Sequence, residues 1–467
     1  MGCTIGLIDK RGRALTRDRP LPMAYDMRIV GQQRRATGEP MTTSRTILAA
    51  LVIFCLLGSY YYAFRVLPSS TTQSAIGPNL YPVWYASRVV LLDHQDPYSP
   101  AVTERIQQVM YGDRVNRVDG RFNEQRFAYP LFTVLLFAPF AILRFPDAQA
   151  LVLVLSAAAT AASTLVWLPR CVPLPAKLAS MILVLAAPTV AWALQLRQLT
   201  LLFAALLALT VAAVRKDQLT LAGALGAVTL AKPQLAIAVL IPLIVWAFSD
   251  WWRRKQFVIS FAIAGCALLA ISEGLCPGWL PHWVATIRAY TGYAGAQSLI
   301  RLLPGRNLPV LGAGLLLLAV LVVSWKWRNS DPQLAIGFSA AAFSVLLPFQ
   351  VYNQIMLAPA VFWIVLRSGE QGGRLFSRLR ACMLMLLCAE WGTAALLAVA
   401  HAISPRAIGS LWALPFIPAW VLLLVVLACM IAIACARPKQ SDSRLERPRQ
   451  DLNPQLHSLA LGQARRV

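Results

Sequence analysis

Between Thr46 and Ala436 the chain returns repeatedly to apolar runs of membrane-spanning length. Backbone in hydrocarbon finds no water to bond, so each run must satisfy its own N–H and C=O groups, and that selects helices. A transmembrane barrel would instead show alternating segments of about ten residues, and none occurs in this sequence. Composition agrees with a membrane solvent. The chain is 58% hydrophobic and 13% charged, with a mean hydropathy of +0.60, whereas soluble domains carry about 25% charged residues. The expected fold class is an all-α polytopic membrane protein.

The candidate spans are 46–64, 147–168, 177–195, 199–214, 219–231, 233–249, 256–275, 308–327, 333–349, 353–367, 379–401 and 411–436. The stretch 129–143 is apolar too, but it falls short of the ~20 residues a crossing needs, and Pro130 and Pro139 interrupt it. With 129–143 at the interface, twelve spans put both tails in the cytoplasm. The short inner loops then hold 13 Lys/Arg and the short outer loops six. Counting 129–143 as a crossing inverts that bias, against the positive-inside rule. Trp251, Trp252, Trp325 and Trp327 beside inner basic clusters fit an interfacial aromatic belt.

Three domains of organisation follow: a basic tail at 1–45, a membrane region at 46–436 with outer loops 65–146 and 276–307, and a second basic tail at 437–467. The tails read as disordered cytoplasmic segments. The segment 1–45 is not read as a cleavable signal, because the apolar run that follows it is of span length and lacks a clear small-residue cleavage site, and Met41 stands as an alternative start. The net charge of +23 lies in tails and short loops, which argues against a nucleic-acid partner and for membrane lipids. Nine cysteines form no C-x-x-C pair and four histidines lie far apart, so no disulfide or metal framework is expected.

Six of the 20 acidic residues fall between Asp93 and Glu124. The first outer segment is therefore where carboxylate chemistry concentrates. "LYPVWYASRVVLLD" (80–93) reads as an amphipathic helix with Pro82 near its start, placing Tyr81, Tyr85, Arg88 and Leu92 on one face. "DPYSP" is a turn, and Ser99 caps a second helix that opens at Pro100. Val102, Ile106 and Val109 are its expected apolar face. The two helices, followed by the Pro-broken 129–143, form a platform on the membrane surface.

The order "NLYPVWYASRVVLLDHQDPYSP", "FAYPLFTVLLFAPFAIL" and "LRQLTLLFAALLALTVAAVRKDQLTLAGALGAVTLAKPQ" resembles glycosyltransferase family 87, formerly domain of unknown function 2029, over roughly 46–367. That family belongs to the GT-C class of membrane glycosyltransferases. The resemblance implies a GT-C-like fold and a lipid-linked donor, typically a polyprenyl-phosphate sugar such as the mannose form. It also implies an acceptor hydroxyl of a glycolipid or glycan at the outer face, and inversion at the sugar carbon. No cofactor is implied, and no G-x-G-x-x-G dinucleotide fingerprint follows a strand. The implied setting is a bacterial inner membrane with an outward-facing site.

Such a reaction needs a base for the acceptor proton and cations for the departing phosphate. Charges at membrane depth usually have a use. Arg197-Gln198 and Lys232 lie in tight joints between spans, and Arg301, Arg306, Gln350, Tyr352 and Asn353 lie in other loops or breaks. With Arg88, Tyr85 and Tyr129 they are the candidate substrate-binding residues. No metal ligand set is expected. Glu390 inside a span suits ion coupling or a partner within the bundle.

Family members usually carry an Asp just before the Tyr-containing helix. This chain has Asn79 there, and an amide is no base at neutral pH. Three readings stay open. Asp96 or another loop acid serves as the base; the protein is a diverged member with changed or lost activity; or the matching position shifts by a residue. Outside the enzyme class, a flippase of lipid-linked saccharide and an inactive envelope-assembly scaffold are the alternatives.

Overall fold

The computed structural model describes residues 41–70, 79–111, 125–293, 298–305, 307–330, 332–348, 350–367, 374–405 and 408–435, together with the two-residue pairs Leu7–Ile8, Ala14–Leu15, Arg117–Val118 and Arg121–Phe122. The expected tails, apart from the N-terminal pairs and the helix start at 41–45, together with Asp113, Asp119, Glu124 and Arg306, lie outside them. Apart from those short antiparallel pairs the described elements are helical. The chain divides into two units, Met1–Ile53 and Phe54–Val467. The first contains the start of helix α1, Met41–Tyr61; all that follows concerns the second.

Each of the twelve apolar segments folds as a helix or a bent pair. Five helices are long and apolar enough to cross a membrane, and a sixth span arises if Leu174–Ala186 (α6) and Pro188–Gln195 (α7), bent by 61°, count as one. Pro188 explains the bend, because its ring denies α6 a continuous hydrogen-bond ladder. The remaining six segments form apolar helices of 10–17 residues, shorter than a full crossing. Thr133–Ala141 (α4) is only nine residues long, consistent with 129–143 not spanning.

The two expected helices of this segment form. Tyr81–Leu92 (α2) and Pro100–Tyr111 (α3) lie on either side of the DPYSP turn, and the Val102 N–H donates to the Ser99 hydroxyl at 3.4 Å. One register differs. The buried face of α3 is Val102, Thr103, Ile106 and Met110, while Val109 is exposed, because at about 100° per residue the buried arc runs from Val102 through Ile106 and Met110 to Thr103, and Val109 falls just outside it beyond Val102. α2 is held on α4 and the turn after it by three hydrogen bonds from two side chains. Arg88 Nη1 reaches the Ala141 carbonyl at 2.6 Å, and the Trp84 indole reaches Phe140 and Leu143 carbonyls at 3.1 and 3.2 Å.

Small residues set the packing of the core. Phe145–Trp167 (α5) packs on Thr200–Arg215 (α8), which packs on Leu219–Thr229 (α9) and Pro233–Phe248 (α10). α9 lies so close to Trp251–Leu275 (α11) that a Cβ on Gly223 would sit 2.3 Å from the Phe257 carbonyl oxygen. Close backbone approach replaces the hydrophobic effect as the packing force between helices in lipid. Outward, α11 exposes Ile263 at 65% and Leu269 at 49%, a face suited to acyl chains and not to water.

This contact predicts a sharp asymmetry between two glycines of neighbouring helices. Gly223→Leu should lower the thermal midpoint of the detergent-solubilised protein by the equivalent of about 3 kcal/mol or more, the upper range for overpacking. Gly265→Leu on α11, where an added Cβ meets nothing within 4 Å, should leave it unchanged. Equal midpoints for both variants would mean the two helices are not in contact.

Candidate active site

The second outer loop is not a loop. It carries Trp279–Tyr293 (α12), followed by a short 3-10 turn at Leu299–Leu302. Trp283, Ile287 and Tyr290 recur at helical spacing and face one cavity of about 120 Å³. The opposite walls come from far apart in sequence: Asn79 before α2, the extended run Gln125–Pro130, Gln198 in the α7–α8 turn, Lys232 in the α9–α10 joint, and Tyr352.

Lys232 is placed by its neighbour. Pro233 opens α10 and disfavours helical backbone at the residue before it; Lys232 accordingly sits at φ −129°, ψ 75°. The break turns the ammonium inward, where it is 3% exposed. Its Nζ donates to Thr200 Oγ1 at 2.5 Å and to Gln198 Oε1 at 3.3 Å, and lies 5.8 Å from the Tyr352 ring centroid. The Thr200 hydroxyl passes the chain on to Asn353 Oδ1 at 2.9 Å. Gln198 also accepts from the Leu199 N–H at 3.1 Å and hydrogen-bonds Tyr352. Among the described residues no carboxylate is hydrogen-bonded or paired with Lys232, and burial pushes its ammonium down to about 7.

The cavity lining thus joins two cations, Lys232 and Arg126, with amides from Asn79, Gln125, Gln198 and Gln234 and an aromatic wall of Tyr129, Trp283, Tyr290 and Tyr352. Among the described residues no Asp or Glu lines the cavity. Such a surface suits an anion attached to a ring that stacks on aromatic faces. The wall is tied together by backbone acceptors: the Trp283 indole donates to the Ala128 carbonyl at 3.3 Å, and the Tyr98 hydroxyl to the Tyr129 carbonyl at 2.8 Å.

Of the residues singled out from sequence, Asn79, Tyr129, Gln198 and Lys232 meet here, and Tyr352 joins them. Asn353 stands one hydrogen bond behind the floor. The others lie elsewhere. Arg88 stacks on Trp84 in the α2–α4 contact, and Tyr85 stacks on Tyr81 in the cluster that α2 forms with α3. Arg197 turns back to the carbonyls of Gln195 and Leu194, at 2.6 and 3.5 Å, and adopts φ 52° to do so, so it caps the end of α7. Arg301 is exposed on its 3-10 turn, and Gln350 caps the turn Val351–Leu357. Asp96 does not line the cavity. Its carboxylate accepts the Tyr98 N–H at 2.9 Å and pairs with His282 at 2.8 Å. Glu390, on Arg374–Ile403, accepts from Gln354 Nε2 at 2.6 Å.

Sequence reasoning missed Arg126, Trp283 and Tyr290. Arg126 lies one residue before the "FAYP" motif, and the aromatic spacing 283/290 was readable as one helical face.

Residues 127–348 match the model of glycosyltransferase family 87. That stretch, a little under half of the chain, is similar to the family. It contributes Tyr129, Gln198, Lys232, Trp283 and Tyr290 to the cavity, while Asn79, Arg126 and Tyr352 lie beyond its ends. The match implies a membrane glycosyltransferase, in keeping with the apolar helices. No curated protein and no solved structure matches the chain.

Proposed function

We propose that the cavity transfers a hexose, mannose-like, from a polyprenyl-phosphate donor to an acceptor hydroxyl at the outer face of a bacterial inner membrane. The polyprenyl chain stays in the bilayer, twelve helical segments cross it, and both tails are cytoplasmic. The donor phosphodiester is held by Lys232 and Arg126, and its sugar stacks on the aromatic wall. Departure of the phosphate gathers negative charge on its oxygens, and fixed cations in a buried site favour that charge. One observation carries the reading: a nearly fully buried lysine facing a cavity with a second cation, four aromatic rings and no carboxylate.

Purified protein in lipid, given radiolabelled polyprenyl-phosphate mannose, glucose or arabinose and a membrane-lipid extract, should move label to a new product. Movement of lipid-linked sugar across vesicles without transfer would instead make the protein a flippase. Neither transfer nor movement would leave the scaffold reading. Because the lining offers phosphate two cations and no His, Cys, Asp or Glu for a divalent ion, turnover in EDTA should stay within about twofold of the untreated rate. Loss of turnover restored by Mg²⁺ or Mn²⁺ would reject this charge arrangement.

A further inference from the structure

A cavity that binds an anion with cations still needs something to take the acceptor's proton, and among the described residues its lining has no carboxylate. A base with an acidic partner is formed instead across the two outer segments. His282 Nδ1 lies 2.8 Å from Asp96 Oδ2. Resting on the transferase reading, we infer that His282 is the general base of this reaction and that Asp96 is its positioning residue.

Asp96 is poorly suited to accept the proton itself. It already receives the Tyr98 N–H, the His282 ring and a hydrogen bond from the Cys276 thiol. A carboxylate so occupied is an orienting group. It holds Nδ1–H toward itself, fixing the tautomer that leaves the Nε2 lone pair outward, as in other Asp–His pairs. Among the described residues Nε2 has no partner, and the His282 side chain is 56% exposed, so an acceptor hydroxyl has access to it.

Neither member lines the cavity itself. His282 precedes the cavity residue Trp283 on α12, about a quarter turn round the helix from it, and Asp96 is two residues from Tyr98, whose hydroxyl holds the cavity residue Tyr129. The step balances without a further reactant. Nε2 takes the acceptor hydroxyl proton as that oxygen bonds to the anomeric carbon. The bond from that carbon to phosphate oxygen breaks, and its electron pair leaves on the polyprenyl phosphate. The imidazolium then returns its proton to water on its exposed side.

The test uses the full chain in lipid. His282→Ala should lower kcat about 10²-fold or more, the span of general-base contributions, with donor KM within about threefold. Added imidazole should restore at least about tenfold of the lost rate, which a structural role for His282 would not allow. Asp96→Asn should lower kcat less than His282→Ala does. Binding of polyprenyl phosphate, followed by tryptophan fluorescence, should persist in both variants and so report an intact cavity. Turnover of His282→Ala within threefold of the parent, or a lost rate that imidazole leaves unchanged, would overturn the inference while leaving the transferase reading in place. Absence of transfer by the parent chain would remove both.

Discussion

Lys232→Met should abolish most sugar transfer while leaving the protein as stable as before or more so. The two effects have separate causes. Methionine fills the volume of the lysine stem, and no polar partner is orphaned by the change. Gln198 Oε1 keeps the Leu199 N–H, and the Thr200 hydroxyl keeps Asn353. A buried ammonium without a carboxylate is a cost to folding that methionine removes. Catalysis moves the other way, because a buried cation aimed at a leaving phosphate is worth about 10²–10³ in kcat/KM by analogy with other charge-stabilising donors. A variant that loses activity together with stability would mean that Lys232 is structural.

The same residue gives the protein a pH signature. Burial pushes the Lys232 ammonium from 10.5 down to about 7. Between those values the unfolded chain holds a proton that the folded chain refuses. Stability is therefore lost as pH falls through that window and levels off below about 7. The advantage of Lys232→Met should grow over the same interval. Donor binding runs oppositely. A phosphodiester keeps one negative charge throughout, and its arrival favours the charged lysine. Above about 7 binding must take up a proton, so the dissociation constant should rise by up to about tenfold per pH unit, and Lys232→Met should flatten the curve.

How much of this was legible beforehand depended on whether a residue's role was local. Twelve apolar segments, the two surface helices and the Pro-broken 129–143 follow from periodicity and punctuation. Pro188 bends the third segment by 61°, and a proline inside a run marks that place without giving the angle. Lys232 and Gln198 stood out because a charge or amide in a tight joint between apolar runs is costly unless used. Arg197 stood out for the same reason, yet it caps its own helix; the sequence does not tell a guanidinium turned back from one turned inward. Trp283 and Tyr290 were hidden by reading 276–307 as a loop. Asp96 was rightly noticed as a polar centre, but its partner His282 lies 186 positions away, a pairing that only the folded chain brings together.

Arg126→Ala should be the second severe loss, and its form distinguishes binding from catalysis. The run that carries Arg126 has anchors besides its side chain. Phe127 is 1% exposed, the Ala128 carbonyl accepts from Trp283, and the Tyr129 carbonyl accepts from Tyr98. Truncation therefore removes the guanidinium without moving the wall. The donor phosphate carries one negative charge in the ground state and gains toward a second as its bond to the sugar breaks. A cation beside it binds the transition state more tightly than the substrate, so the loss should fall more on kcat than on KM, about 10²-fold in kcat/KM overall. Arg126→Lys keeps the charge but not the planar two-pronged donor, and should recover only part of the rate. Combined with Lys232→Met, the loss should be smaller than the product of the single losses, since two cations on one phosphate act as a unit. Strict multiplication of the two effects would place the residues on different groups of the substrate, and an unchanged kcat in Arg126→Ala would confine Arg126 to holding the donor before the reaction begins.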